Sequence, residues 1–141
     1  MTDQPTDRVA DQPTEPASEP ILDHSGVPVL VCDPAGPPIA GPQDVLDHLV
    51  GPAFQGAEVV AVPAGRLDGS FFDLSSGFAG EVMQKFVNYH LHLVVVGDIT
   101  HHLAASKALP DLVRESNEGR HVWFVSDLVE LADRLARTRG A

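Results

Sequence analysis

The sequence has one cysteine, two lysines and no long apolar run. Because Cys32 has no second cysteine to pair with, an internal disulfide is excluded, which fits a reducing compartment. No apolar stretch approaches the roughly 20 residues of a membrane-spanning helix, and the first residues lack the basic and then apolar pattern of a signal peptide. These absences predict a cytoplasmic protein without membrane insertion.

Positive charge is also scarce. The chain has 9 Lys and Arg residues against 20 Asp and Glu residues, a formal net charge of −11 at pH 7. Since phosphate groups are bound through clustered lysines and arginines, we expect no nucleic-acid partner. Much of the acidity lies in the Pro-rich first 25 residues, where hardly an apolar residue precedes Ile21. We therefore expect residues 1–25 to form a disordered acidic tail and residues 26–141 to form one α/β domain.

Sequence motifs for cofactors and metals are missing. There is no complete phosphate loop, no dinucleotide fingerprint and no nucleophile elbow. The histidine pairs His90 and His92, and His101 and His102, have neither a cysteine pair nor zinc-ligand spacing beside them. We therefore expect no cofactor and no metal, and we favour binding over catalysis.

Apolar runs of strand type alternate with stretches of helical periodicity. Strands are predicted over 26–33, 57–62, 91–96 and 121–125, and helices over 43–50, over 78–90, around Leu112 and from Asp127 onward. This alternation implies right-handed βαβ crossovers and an open, mostly parallel sheet with helices on both faces. A turn at 34–38 before a short run at Ile39 predicts an N-terminal hairpin or a short edge partner. The expected fold is a single α/β domain with a mixed sheet and about four helices.

The helix predicted over 78–90 has a narrow polar stripe. At 100° per residue, four side chains fall within about 80° of Glu81: Gln84, Lys85, Asn88 and Tyr89. Asp98 follows the next strand, at the carboxyl edge where α/β sheets collect binding groups. Two interpretations of the stripe are open. It is either a solvated face on which Glu81 and Lys85 form an ordinary ion pair, or a surface that recognises a partner.

The string from Phe71 to Tyr89, the pair Gly97-Asp98 and the turn from Glu115 to Gly119 together resemble a bacterial family, the domain of unknown function DUF4180. The resemblance covers about residues 27–135. It implies binding roles for the residues that match the family's recurring strings, which are Glu81, Gln84, Lys85, Asn88, Tyr89, Asp98, Glu115 and Asn117. It implies no reaction.

The order of elements more distantly resembles the STAS-type domain of anti-sigma-factor antagonists. Those domains carry an Asp-Ser-Ser-Gly turn before a helix, with a serine as a phosphorylation site. Here the segment from Asp73 to Gly77 is close, although Leu74 interrupts the match. The resemblance implies a STAS-like fold and a phosphorylation switch at Ser75 or Ser76. Capping of the following helix is the alternative role for these serines.

Three hypotheses for the stripe follow. In the leading one, a binding module recognises a protein partner or a small polar ligand through the stripe and Asp98, and the same helix supports a homodimer. In the second, the chain is a small cofactor-independent enzyme of specialised metabolism, with Asp98, Lys85 and Glu81 as proton-transfer groups. In the third, Gln84, Asn88 and Tyr89 only hold the fold, through hydrogen bonds to the turn at 115–117.

Overall fold

A computed structural model describes residues 20–24 and 26–140 of the chain. Its centre is one sheet of five strands: β1 (Ile21–His24), β2 (Val27–Val31), β3 (Val59–Pro63), β4 (His92–Val96) and β5 (Val122–Val125). The strands stand in sequence order, with β1 antiparallel to β2 and the others parallel. Valine dominates the central strands because a β-branched side chain suits a pleated surface that is covered on both sides. The predicted mixed, mostly parallel sheet is confirmed.

In the described part of the chain, six helical segments connect and cover the strands. They are α1 (Pro42–Val45, continued by Leu46–Val50 and Gly51–Ala53), α2 (Gly69–Phe72), α3 (Phe78–Asn88), α4 (Thr100–Ala105), α5 (Leu109–Glu118) and α6 (Leu128–Gly140). The four predicted helices correspond to α1, α3, α5 and α6, while α2 and α4 were not predicted. Short 3₁₀ turns at Ala64–Arg66 and Leu74–Ser76 lead into α2 and α3.

The helices divide unequally between the two faces of the sheet. Right-handed crossovers between strands in sequence order place every crossover helix on the same face. Leu49 of α1, Phe86 of α3 and Leu109 of α5 accordingly share one large core with the sheet. On the other face, Leu131 and Leu135 of α6 pack in a smaller core. The predicted coverage of both faces is confirmed, with α6 alone on the second face.

The predicted hairpin and tail boundary need correction. β2 forms its hairpin with β1, which lies inside the predicted tail, and Ile39 instead makes an isolated parallel bridge to Leu67. β1 was not predicted because it is a short edge strand. Its Leu22 is exposed, so the strand has no run of buried apolar residues. The folded region therefore includes Ile21–His24, and residues 1–19 of the predicted tail lie outside the described residues.

Helix α1 continues past its predicted end at Val50 and through Pro52. Proline has no N–H, and its ring crowds the carbonyl four residues earlier, so a regular α-helix cannot pass through it unchanged. The chain widens into a π-helical turn over Leu46–Val50, in which the Gly51 amide donates to the Leu46 carbonyl. The helix is thereby extended to Ala53.

Among the described helices, none combines the length and the apolar character needed to cross a membrane.

Candidate functional site

Helix α3 begins at a turn built by Ser76 and Gly77. The Ser76 hydroxyl accepts a hydrogen bond from the Phe78 amide at 3.1 Å and donates to the Ser70 carbonyl at 2.6 Å. Gly77 follows with a φ of 79°, a left-handed conformation that glycine adopts without strain. The Ser76 hydroxyl thus both donates and accepts a hydrogen bond at the start of the helix. Ser75 is exposed, and its hydroxyl donates to the Asp73 carboxylate at 2.6 Å.

The two faces of α3 match the predicted amphipathic pattern. Val82 and Phe86 are fully buried, whereas the stripe residues Glu81, Gln84, Asn88 and Tyr89 are exposed and Lys85 is half-buried. The helix ends at Asn88, two residues before the predicted end. The stripe is therefore a solvent-facing surface.

The polar side chains of the stripe are not tied to the turn at 115–117. Gln84 donates to the Asn88 side chain at 2.9 Å, which pairs two exposed groups on the same helix. Within the described part of the chain, Glu81 and Lys85 form no ion pair. Neither the simple salt bridge nor the fold-holding hydrogen bonds considered from the sequence are formed.

A groove runs between α3 and α5, with a volume of about 350 Å³. We call it the α3–α5 groove, and it is lined by Gly80, Met83, Gln84, Val87, Leu112, Glu115, Ser116, Gly119, Arg120, His121 and Val122. It brings Gln84 of the stripe together with Glu115, which is distant in sequence. The side chain of Glu115 is exposed and has no hydrogen-bond partner among the described residues. Two of the predicted site segments therefore share one surface.

Asn117, predicted as a binding residue, makes contacts within the fold. Its side-chain oxygen accepts from the Phe124 amide at 2.7 Å, and its carbonyl accepts from the Arg134 guanidinium at 2.6 Å. These bonds connect the end of α5 to β5 and α6. Asn117 does not line the α3–α5 groove.

Asp98 lies apart from the stripe. It follows β4 at the carboxyl edge of the sheet, in a cavity of about 300 Å³ that also contains Glu130. The hydroxyl and amide of Thr100 both donate to the Asp98 carboxylate and hold its pKa below the usual value. Glu130 is held in the same way by Ser126, with its pKa also lowered. Both carboxylates are therefore ionised, and each accepts hydrogen bonds from a neighbouring residue.

The direction of α3 carries the later residues of the stripe away from Asp98, whereas Glu81 lies in the first turn of the helix. The helix starts near the carboxyl edge and returns to the amino edge, a distance of roughly 15 Å at 1.5 Å per residue. Its last stripe residue, Tyr89, packs edge-on against Phe54 at the end of α1, with ring centroids 5.6 Å apart. Both rings are well exposed, Phe54 at 65% and Tyr89 at 41%. No residue of the stripe lines the cavity that contains Asp98.

Sequence reasoning missed a third cavity, at the amino edge of the sheet. This amino-edge cavity has a volume of about 610 Å³ and is lined by Val27, Glu58, Val59, Phe86, Val87, His90, Leu91, His92, Arg120, His121, Trp123, Leu135 and Thr138. His90 precedes β4 with a φ of 59°, so it lies outside the strand that carries His92. The sequence does place three histidines and an arginine just before or at the starts of β4 and β5, and these residues could have indicated the cavity. They are His90, His92, Arg120 and His121. No group of three metal-ligating side chains occurs among the residues described.

A family model described as Domain of unknown function (DUF4180) matches residues 24–135, most of the chain. No curated protein and no solved structure matches the chain. The family resemblance inferred from the sequence strings is confirmed, and the more distant STAS resemblance stays a prediction.

Proposed function

The chain belongs to the family described as Domain of unknown function (DUF4180), and from this premise we propose that it is a binding module whose α3–α5 groove receives a segment of a protein partner. The observation that carries the proposal is the shared position of Gln84 and Glu115 in that groove. The two residues come from separate strings that support the family resemblance. Because both residues line the α3–α5 groove, a single binding role there accounts for both.

The chemistry of the groove suits a peptide segment. Met83, Val87 and Leu112 provide partly exposed apolar surface, and Gln84 and Glu115 provide polar groups at its sides. Interfaces combine an apolar centre with a polar rim in this way. The groove therefore fits a segment with apolar side chains and a basic residue that faces Glu115.

Two glycines make close approach feasible. A Cβ atom at Gly80 would meet no heavy atom within 4 Å, so this position opens directly to the exterior. Gly119 lines the same groove at the end of α5. Without side chains at these positions, a partner's backbone can come near both helices.

The enzyme alternative has less support. Asp98 lies at the carboxyl edge, whereas Lys85 lies in the last turn of a helix that runs to the amino edge. Proton transfer needs acid and base groups that meet at one reacting atom. In addition, the lowered pKa of Asp98 makes its carboxylate a weaker base.

Phosphorylation of Ser75 is a second candidate, as regulation of partner binding. Ser75 is exposed beside the start of α3, whereas the Ser76 oxygen serves the helix. A phosphate on Ser75 would add about 1.5 to 2 negative charges next to Asp73 and reorganise this turn. Under this candidate, Ser75→Asp changes partner affinity, while Ser75→Ala leaves it near the wild-type value.

Site-specific photo-crosslinking tests the proposed groove. A photoreactive amino acid replaces Gln84 in one variant and Val129, an exposed residue of α6, in the control. We expect a defined crosslinked partner from position 84 alone, and its loss when Glu115→Arg is added. A crosslink to a second copy of the chain would identify the homodimer as the occupant. Equal crosslinking from both positions would contradict the proposal.

A further inference from the structure

The amino-edge cavity has the size of a small-molecule site. Its volume of about 610 Å³ falls within the ~300–1,000 Å³ typical of such sites. The starts of β3 and β4, the end of α3 and the outer part of α6 surround it, through Val59, His92, Val87 and Thr138 respectively. It lies at the opposite sheet edge from Asp98.

The walls of this cavity are mainly apolar. Val59 and Leu135 are buried core residues that reach its surface, and the Trp123 ring forms another part of the wall. Apolar and aromatic walls favour a ligand with an apolar body, since the contact removes nonpolar surface from water. A highly polar metabolite such as a sugar would make few favourable contacts with these apolar walls.

The polar groups around the cavity include a cation and several imidazole nitrogens. Arg120, His90 and His121 line it, together with a single carboxylate, Glu58. Cationic side chains are scarce in a chain with a formal net charge of −11. Within the described part of the chain, the Arg120 guanidinium has no hydrogen bond and no ion pair. By contrast, Arg114 pairs with Asp111.

One nitrogen in the cavity wall also lacks a partner. The Nε2 atom of His92 is buried and makes no hydrogen bond to the described residues. Buried polar atoms are usually hydrogen-bonded, so the wall of this cavity contains an unsatisfied polar atom that is covered in the ligand-free protein.

We propose that the amino-edge cavity binds a small molecule with an apolar, ring-containing body and one carboxylate or sulfonate group, which the Arg120 guanidinium holds. A charged hydrogen bond from a guanidinium to such an anion is among the stronger polar contacts that proteins make. This cavity adjoins the α3–α5 groove, since Val87, Arg120 and His121 line both, but the proposal does not depend on protein binding in the groove.

The probe for the test is anilinonaphthalene sulfonate, an apolar anion with aromatic rings. Phenylnaphthylamine, which has the same ring system without the sulfonate, is the matched neutral probe. Trp123 is the only tryptophan in the chain and lines the cavity, so energy transfer from Trp123 reports binding of either probe, and variants at the cavity locate it. With the purified full chain, we expect saturable binding at one site and loss of Trp123 emission.

Three variants locate the charge and the cavity. Arg120→Gln is expected to weaken binding of the sulfonate about tenfold and to change binding of the neutral probe less than about twofold. Arg114→Gln, which alters an arginine outside the cavity, is expected to change neither affinity. Thr138→Phe fills space at the exposed side of the cavity and is expected to weaken both probes.

The possible results distinguish the role of Arg120 from the location of the probe. Unchanged sulfonate affinity in Arg120→Gln would overturn the assignment of that residue. Binding without a change in Trp123 emission, or unaffected by Thr138→Phe, would place the probe elsewhere and overturn the cavity site. Because no partner protein is present in this assay, either result leaves the proposed groove untouched.

Discussion

His92 meets Trp123 edge to face, with ring centroids 4.2 Å apart and ring planes 78° apart. The guanidinium carbon of Arg134 lies 4.2 Å from the centre of the same tryptophan ring. A protonated His92 would therefore sit close to an existing cation in a mostly apolar setting. Burial, followed by the charges of His121 and Arg134, lowers the pKa of His92 to about 4.

This shift predicts a specific loss of stability in acid. In the unfolded chain His92 has the ordinary value of 6.5, so the unfolded state takes up the proton first as the pH falls. The contribution is fully present above pH 6.5 and is lost toward pH 4. The free energy of unfolding should fall by up to about 3 kcal/mol across this window.

Urea unfolding at a series of pH values measures this effect. His92→Leu should remove the corresponding part of the pH dependence, whereas His101→Gln, at an exposed position, should retain it. An unchanged slope in His92→Leu would show that other groups cause the acid sensitivity.

Gly36 is required by the position of Arg66. The buried Arg66 guanidinium donates to the carbonyls of Pro37 and Asp33, and a Cβ atom at residue 36 would lie 2.6 Å from its central carbon. We expect Gly36→Ala to lower the free energy of unfolding by about 1–3 kcal/mol, because the guanidinium must move. Gly65→Ala is the control, since a Cβ atom there meets nothing within 4 Å. Equal stability of the two variants in urea unfolding would refute this explanation.

Asn117 and Asn88 should respond differently to the same truncation. Asn117→Ala leaves the Phe124 amide without its side-chain acceptor and should lower the free energy of unfolding by about 1–3 kcal/mol. Asn88→Ala removes only a bond to the exposed Gln84, so a change within about 0.5 kcal/mol is expected. Thermal or urea unfolding distinguishes them. If the larger loss came from Asn88, the fold-holding hypothesis for the stripe would return.

The two serines before α3 give a further pair. Ser76→Ala removes the acceptor of the Phe78 amide and should cost about 1 kcal/mol in unfolding free energy. Ser75→Ala removes a bond to an exposed carboxylate and should cost less. Comparing the denaturation midpoints of both variants with the wild type checks the order. A larger loss for Ser75→Ala would reassign the capping role.

The sequence was sufficient for the main elements of the fold. Runs such as Leu93 to Val96 require a strand buried on both faces, and the periodicity around Val82 and Phe86 requires an amphipathic helix. Helix α4 was not predictable in this way because it has no fully buried residue and hence no apolar period. The polar face of α3 was predicted, while its separation from Asp98 depends on the path of the helix between the two sheet edges.

The groove and the amino-edge cavity required tertiary information. Glu115 and Gln84 line one groove only because neighbouring crossover helices share one face of the sheet. The amino-edge cavity depends on where α6 crosses the other face, which brings Leu135 and Thr138 to the start of the strands. No local pattern encodes that path.

The most direct measurement compares partner affinity after two identical charge reversals on opposite faces of the sheet. Once crosslinking has identified the partner, calorimetric titration is carried out with the wild type, Glu115→Arg in the α3–α5 groove and Asp133→Arg on α6. The proposed function predicts that Glu115→Arg weakens binding by about tenfold and that Asp133→Arg changes it less than about twofold. Equal effects, or a larger effect of Asp133→Arg, would contradict the groove as the binding surface.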